Sequence, residues 1–171
     1  MSTIITTQSA PAGSWNADPV HSNVSFEVAY AGTNTFRGGF REYTATLQDG
    51  VLEGSAEVAS VDVKDEQLNG HLQTPDFFDA ERFPQISFRT SDLERGELTI
   101  KGVTRPVAIS ATVSEPNVDP FGRERVGIAL EATVDRNEFG VSWNAPNQGG
   151  GNYLGDDVTI RAELALVRQD G

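Results

Sequence analysis

The feature that most constrains this chain is a two-residue alternation of apolar and polar side chains that recurs along most of its length. Val24, Phe26, Val28 and Tyr30 alternate with Ser25, Glu27 and Ala29, and Phe36, Gly38 and Phe40 with Arg37 and Gly39. Period two puts successive side chains on opposite faces of a strand, so each such run is a strand with one apolar face. Tyr43, Ala45 and Leu47 continue with shifted parity, which predicts a bulge near Arg41-Glu42. Asp49-Gly50 predicts a tight hairpin turn, with Leu52, Gly54, Ala56 and Val58 returning from it. Further runs are Ile86 and Phe88; Leu98 and Ile100, after a turn at Glu94-Arg95-Gly96; Val107, Ile109, Ala111 and Val113; Ile128, Leu130, Ala132 and Val134; and Val158, Ile160, Ala162, Leu164 and Leu166. The sum is an all-β chain of about eight strands, several of them long, which favours an antiparallel barrel closed around an apolar interior over a compact sandwich.

One segment breaks the alternation. Leu68 and Leu72 stand four apart, and Thr74-Pro75-Asp76 reads as a second helix start, so a short helical insertion kinked near Gly70 or Pro75 is predicted within residues 65–82. Residues 116–122 and 140–156 read as loops, and the second is long enough to suggest function. Residues 1–13 lack periodicity and read as a flexible tail, leaving residues 14–171 as a single domain.

Small residues stand on the apolar faces: Gly38, Gly54, Ala56, Ala111, Ala132 and Ala162. A barrel of eight strands is wide enough to be filled by side chains or to hold one small ligand, and this feature fits either state. Phe77, Phe78 and Phe83 lie in the insertion rather than on a strand, where they form either a plug or the mouth of a cavity.

The formal charge of −12 repels phosphates, and no Lys/Arg cluster forms a basic groove, so no nucleic acid partner is expected. The chain has no Cys, which excludes disulfides, thiolate chemistry and Cys-zinc sites. Its first residues show no basic and apolar leader, and no apolar run approaches a membrane span, so a cytoplasmic protein without stable membrane insertion is expected.

Groups able to do chemistry are sparse. His21 sits in Asp18-Pro-Val-His-Ser22, but a triad needs convergence in space and no nucleophile elbow is present; a capped turn at a strand start is the expected role. His71 stands alone between Gly70 and Leu72, so no metal site is expected. Carboxylates are spread singly, and Gly149-Gly150-Gly151 lacks the remainder of a phosphate loop.

Four ordered motifs resemble the YceI-like polyisoprenoid-binding family. They are Trp15, Asp18-Pro19, His21-Ser22, Val24 and Phe26; His71-Leu72 through Phe77-Phe78-Asp79 to Phe83-Pro84 and Phe88; Gly96 through Gly102-Val103-Thr104-Arg105-Pro106-Val107; and Asp135-Arg136, Phe139-Gly140. The resemblance implies a lipocalin-like eight-stranded antiparallel β-barrel with one short helical insertion, an interior that takes a long isoprenoid, and, for many members, a homodimer. This chain carries Asn69-Gly70 where the family often has an Arg-Asp or Arg-Asn pair, and it lacks the secretory signal of many members; its Trp143-Asn144 loop resembles a branch without one.

The expected function is non-enzymatic binding, storage or transport of a lipophilic small molecule, a polyisoprenoid or an isoprenoid quinone, with no cofactor other than such a lipid. Burial supplies about 0.8 kcal/mol per CH2 removed from water. The strand residues expected to line the interior are Phe26, Phe36, Phe40, Phe88, Ala111 and Ala132. From the insertion and the long loop come Leu68, Leu72, Phe77, Phe78, Phe83 and Trp143, with His71, Arg105 and Asn144 as head-group contacts. The rival is a small barrel hydrolase or isomerase using His21 or His71 as acid or base.

Overall fold

A computed structural model describes residues 4–5 and 10–169. The strands are β1 (Ile4–Ile5), β2 (Ser14–Ala17), β3 (Asn23–Tyr30), β4 (Asn34–Phe40), β5 (Tyr43–Gln48), β6 (Val51–Glu57) and β7 (Val61–Asp62). The helix α1 (Glu66–Leu72) follows, then β8 (Gln85–Thr90), β9 (Arg95–Ile100), β10 (Val103–Ala108), β11 (Ser110–Ser114), β12 (Asn117–Val118), β13 (Glu124–Asp135) and β14 (Leu154–Arg168). They form one antiparallel sheet of lipocalin-like type, fourteen segments where about eight were expected, because bends cut long strands into pieces. Of the expected tail, Ile4–Ile5 pairs with Val113 and Ser114 of β11, while residues 1–3 and 6–9 lie outside the described residues.

The fifteen-residue β14 organises the sheet. Along one edge it pairs with β13; along the other its first part pairs with β3 and its last with β2. Two branches therefore leave the same edge, β3–β4–β7 and β2–β5–β6–β8–β9–β10. Where β14 changes partner, Asp18 N–H donates to Ala165 O at 2.8 Å and Ala165 N–H donates to the buried Ser22 hydroxyl at 2.9 Å. These bonds satisfy backbone groups that neither strand reaches.

Four expectations are corrected. The ladder is not closed: it ends at β10, and Ile109 N–H donates to Glu94 O instead of continuing a ladder, so the chain itself bends through Ile109 from β10 to β11 on β13. The parity shift at Arg41-Glu42 is not a bulge within one strand. There the chain leaves the β3–β4 branch for β5, held by Arg41 and Glu42 N–H donating to Ser60. The insertion holds one helix rather than two: Asp65 caps α1 through Gln67 N–H, but the Thr74 hydroxyl donates back to His71 O and closes the helix instead of starting another. The turn before β9 also falls earlier than expected, over residues 91–94, because Asp92 Oδ1 accepts from Glu94 and Arg95 N–H. Asp49-Gly50 does turn as a hairpin, both residues at positive φ (49° and 88°), the geometry that lets two residues join twisted strands.

The inward side chains form two clusters. One contains Trp15, Leu47, Leu52, Leu93, Ile128 and Leu166, each 2% exposed or less. The other, around Val61, Leu72, Phe77, Val134 and Phe139, is surrounded by half-buried aromatic and aliphatic side chains. No described helix is long and apolar enough to cross a membrane.

Candidate functional site

The second cluster surrounds a cavity of about 430 Å³. β3 supplies Phe26, Val28 and Tyr30 to its wall, β4 Phe36 and Phe40, and α1 Leu68, His71 and Leu72. Phe77 and Phe78 follow from the insertion, Trp143 and Tyr153 from the loop before β14, and Val158 and Ile160 from β14. A smaller chamber of about 120 Å³ lies between this cavity and the packed cluster, lined among others by Gly54, Ala56, Phe88, Ala132 and Ala162. Val24, Ala56, Ile86, Leu98 and Ile160 border both chambers.

The rings hold the large chamber open by packing on one another along its wall. Phe26 lies 5.7 Å from Phe40 and 6.3 Å from Phe36, and Phe40 lies 6.1 Å from Phe78, all tilted or edge-on. His71 meets both Phe77 and Trp143 edge-on at 4.9 Å. Gly38 faces Phe26 across the β3–β4 pair, and a Cβ there would stand 2.6 Å from the Phe26 ring, so the missing side chain is the space the ring occupies. The small residues thus serve two ends: Gly38 admits a ring, whereas Gly54, Ala56, Ala132 and Ala162 leave space.

Polar groups on the large chamber's wall are few. His71 Nε2 is 2.9 Å from Asp76 Oδ2, and the Tyr153 hydroxyl donates to the Tyr30 hydroxyl at 2.7 Å. That bond and burial raise the Tyr153 pKa above its ordinary value. Arg136 is 5% exposed; its Nε donates to Gly155 O, and its Nη1 to Val141 O and Trp143 O. Burial pulls its pKa below the usual arginine value, yet a guanidinium stays charged in a protein.

The structure brings together, at the large chamber, Phe26, Phe36, Phe40, Leu68, Leu72, Phe77, Phe78, Trp143 and His71 from among the residues nominated by sequence. Phe88 and Ala132 line the smaller one. Four nominated residues line neither. Phe83 packs against Gly102, whose Cβ would lie 2.6 Å from its ring, and so pins the β9–β10 hairpin. Ala111 packs against the solid cluster. Arg105 is exposed and donates to Glu138 O. Asn144 spends its side chain locally, donating to Leu154 O and accepting from Ala145 and Leu154 N–H. The insertion is thus divided: Phe77 and Phe78 wall the cavity, and Phe83 staples a turn.

Sequence reasoning missed Tyr30, Tyr153 and Arg136. The inward parity of Val24, Phe26 and Val28 extends to Tyr30, a usable signal; nothing in the local sequence marks Arg136 as buried. His21 lines neither chamber. It is exposed and bonded to Asp18 at 2.8 Å. That bond, Val20 N–H and Arg125 hold Asp18 down at about 2. Among the described residues no Ser, Thr, Asp or Glu lines the large chamber. Among the described residues no group of three or more His, Asp or Glu is placed to hold a metal ion.

Comparison with known proteins agrees with this fold. A UPF0312 protein of Staphylococcus aureus (strain USA300) is 27% identical over 157 residues, covering 85% of this chain and 92% of the relative. Among solved structures, Burkholderia cenocepacia BcnA superposes with a TM-score of 0.74 at 22% identity, covering 87% of this chain and 98% of its own. A polyisoprenoid binding domain from Saccharophagus degradans, implicated in plant cell wall breakdown, superposes with the same TM-score of 0.74 at 11% identity, over 91% of this chain and 98% of that one. The YceI-like domain model matches residues 15–166, and the chain belongs to that family.

Proposed function

We propose that this protein binds a lipophilic small molecule, of polyisoprenoid or isoprenoid-quinone type, in its two adjoining chambers and does not transform it. The observation that carries the reading is the large cavity of about 430 Å³ with an almost wholly aliphatic and aromatic wall, within the size range of pre-formed ligand sites. A wall of this kind gains affinity by removing CH2 groups from water and offers little polar reward to a hydrophilic substrate. The polyisoprenoid-binding name of the Saccharophagus degradans structural neighbour supports the same ligand class. Among the described residues the large chamber's wall has His71 but neither a nucleophilic hydroxyl of Ser or Thr nor a carboxylate, which favours holding a molecule over cleaving it.

The test is native mass spectrometry of protein purified from a bacterial host, followed by organic extraction of what it carries. The expected result is a protein–lipid mass that collapses to the bare chain on denaturation and releases an apolar molecule. A bare chain in the native spectrum, together with failure to bind any added long-chain probe, overturns the reading.

A further inference from the structure

Arg136 is the one permanently charged side chain among the described residues lining the large chamber. Three of its hydrogen bonds go to the backbone oxygens of Gly155, Val141 and Trp143. Its Nη2 is buried and has no hydrogen-bond partner among the described residues. Among the described residues no carboxylate forms an ion pair with it: Asp156 and Asp135 favour its charge only through space, and each accepts a hydrogen bond from Asn137. A buried donor without an acceptor is costly, as is a buried cation whose nearest carboxylates act only from a distance, and both costs fall when an anionic oxygen arrives.

Of the other polar side chains on that wall, His71 is bonded to Asp76 and Tyr153 to Tyr30. The carbonyls that hold Arg136 belong to the loop before β14 and to its first residues, away from the small residues that line the other chamber. The cavity is therefore polarised, with a buried positive charge at one end and hydrocarbon toward the other.

Building on the binding function proposed above, we infer that Arg136 is the head-group anchor of an amphiphile. The ligand carries an oxyanion, a carboxylate or a phosphate, that accepts from Nη2, and its tail runs toward Ala56, Ala132 and Ala162. Charge-assisted bonds of this kind are about twice as strong as neutral ones.

Three soluble probes with one tail test it: dodecanoate, dodecyl phosphate and dodecyltrimethylammonium, titrated calorimetrically into the intact protein. The formal net charge of −12 attracts the cation, so a surface effect and an Arg136 effect have opposite signs. The expected result is that at least one anion binds about tenfold or more tightly than the cation, the stronger of the two identifying the head group. Arg136→Met is expected to lose that preference while still binding the tail, and Arg136→Lys to keep it. Equal or tighter binding of the cation by the wild type overturns the inference, as does a folded Arg136→Met that still prefers anions. Should Arg136→Met fail to fold, the wild-type ranking and Arg136→Lys decide. If none of the three probes binds, this inference falls, and the binding function falls with it when the native spectrum also shows a bare chain; binding without anion preference removes this inference alone.

Discussion

The two ends of this sheet are built from the same alternation and filled in opposite ways. At one end Trp15, Leu47, Leu52, Ile128 and Leu166 meet across the interior and exclude water almost completely. At the other, Phe26, Phe36, Phe40 and Phe78 are larger than those leucines and the isoleucine, yet they lean on each other along the wall and leave about 430 Å³ open. Residue size does not separate a core from a cavity. Direction does, and direction follows from what stands opposite: Gly38 accepts the Phe26 ring at the wall, while Ala132 and Ala162 put too little volume between the ends to fill the middle.

The comparison is broken most decisively by truncation at each end. Leu166→Ala is expected to cost about 2.7–5 kcal/mol, since a packed end cannot collapse around the lost methyls. Leu68→Ala, half-buried at the cavity wall on a helix that tolerates Ala, is expected to cost no more than about 1.5 kcal/mol. Urea unfolding of both variants checks this, and equal costs would mean that the open end is as tightly packed as the other.

The next effect lies at the boundary. Ala132→Phe fills space in the smaller chamber, shortening the room for a tail by three or four CH2 groups and weakening a long-chain probe by about a hundredfold. A short-chain probe confined to the large chamber is expected to bind unchanged, with stability altered by less than about 1 kcal/mol. Destabilisation of about 1–3 kcal/mol would instead mark that region as filled core.

Acid distinguishes the ends more gently. Asp18 is held at about 2 by His21, Val20 N–H and Arg125, below its ordinary 3.8, so its ionised form favours the fold. That contribution is present above about pH 4 and is lost as the pH falls toward 2. Asp18→Asn is expected to be less stable than the wild type at neutral pH and to show a flatter loss between pH 4 and 2 in urea midpoints, with probe binding at the open end unchanged. An identical acid limb in the variant would contradict this. The smallest effect is expected from Tyr153→Phe, which removes the 2.7 Å bond to Tyr30 at the cavity wall and costs about 0.5–1.5 kcal/mol without changing how long a tail is accepted.

Much of this was legible before the structure. Strand alternation named the inward side of nearly every strand, Asp49-Gly50 marked a turn, and the aromatic residues of β3, β4 and the insertion pointed to the open end. Parity reports which face a side chain takes, because it is a local property of the extended backbone. It does not report which strands become neighbours. So the partner change along β14, the open ladder at β10 and the bend at Arg41-Glu42 were decided only when the branches assembled. The same limit explains Phe83 and Asn144, whose residue types suit a ligand site but whose partners, Gly102 and the backbone at Ala145 and Leu154, lie across a turn or a loop. It explains Arg136 most of all. A charged residue after a strand reads as surface, and only the fold of the loop over it, placing the carbonyls of Val141, Trp143 and Gly155 around its guanidinium, made it a buried charge. The sequence by itself determined an all-β chain with an apolar inside. The tertiary structure decided where that inside is solid, where it is empty, and which charge faces the emptiness, because packing and desolvation depend on residues far apart in the chain.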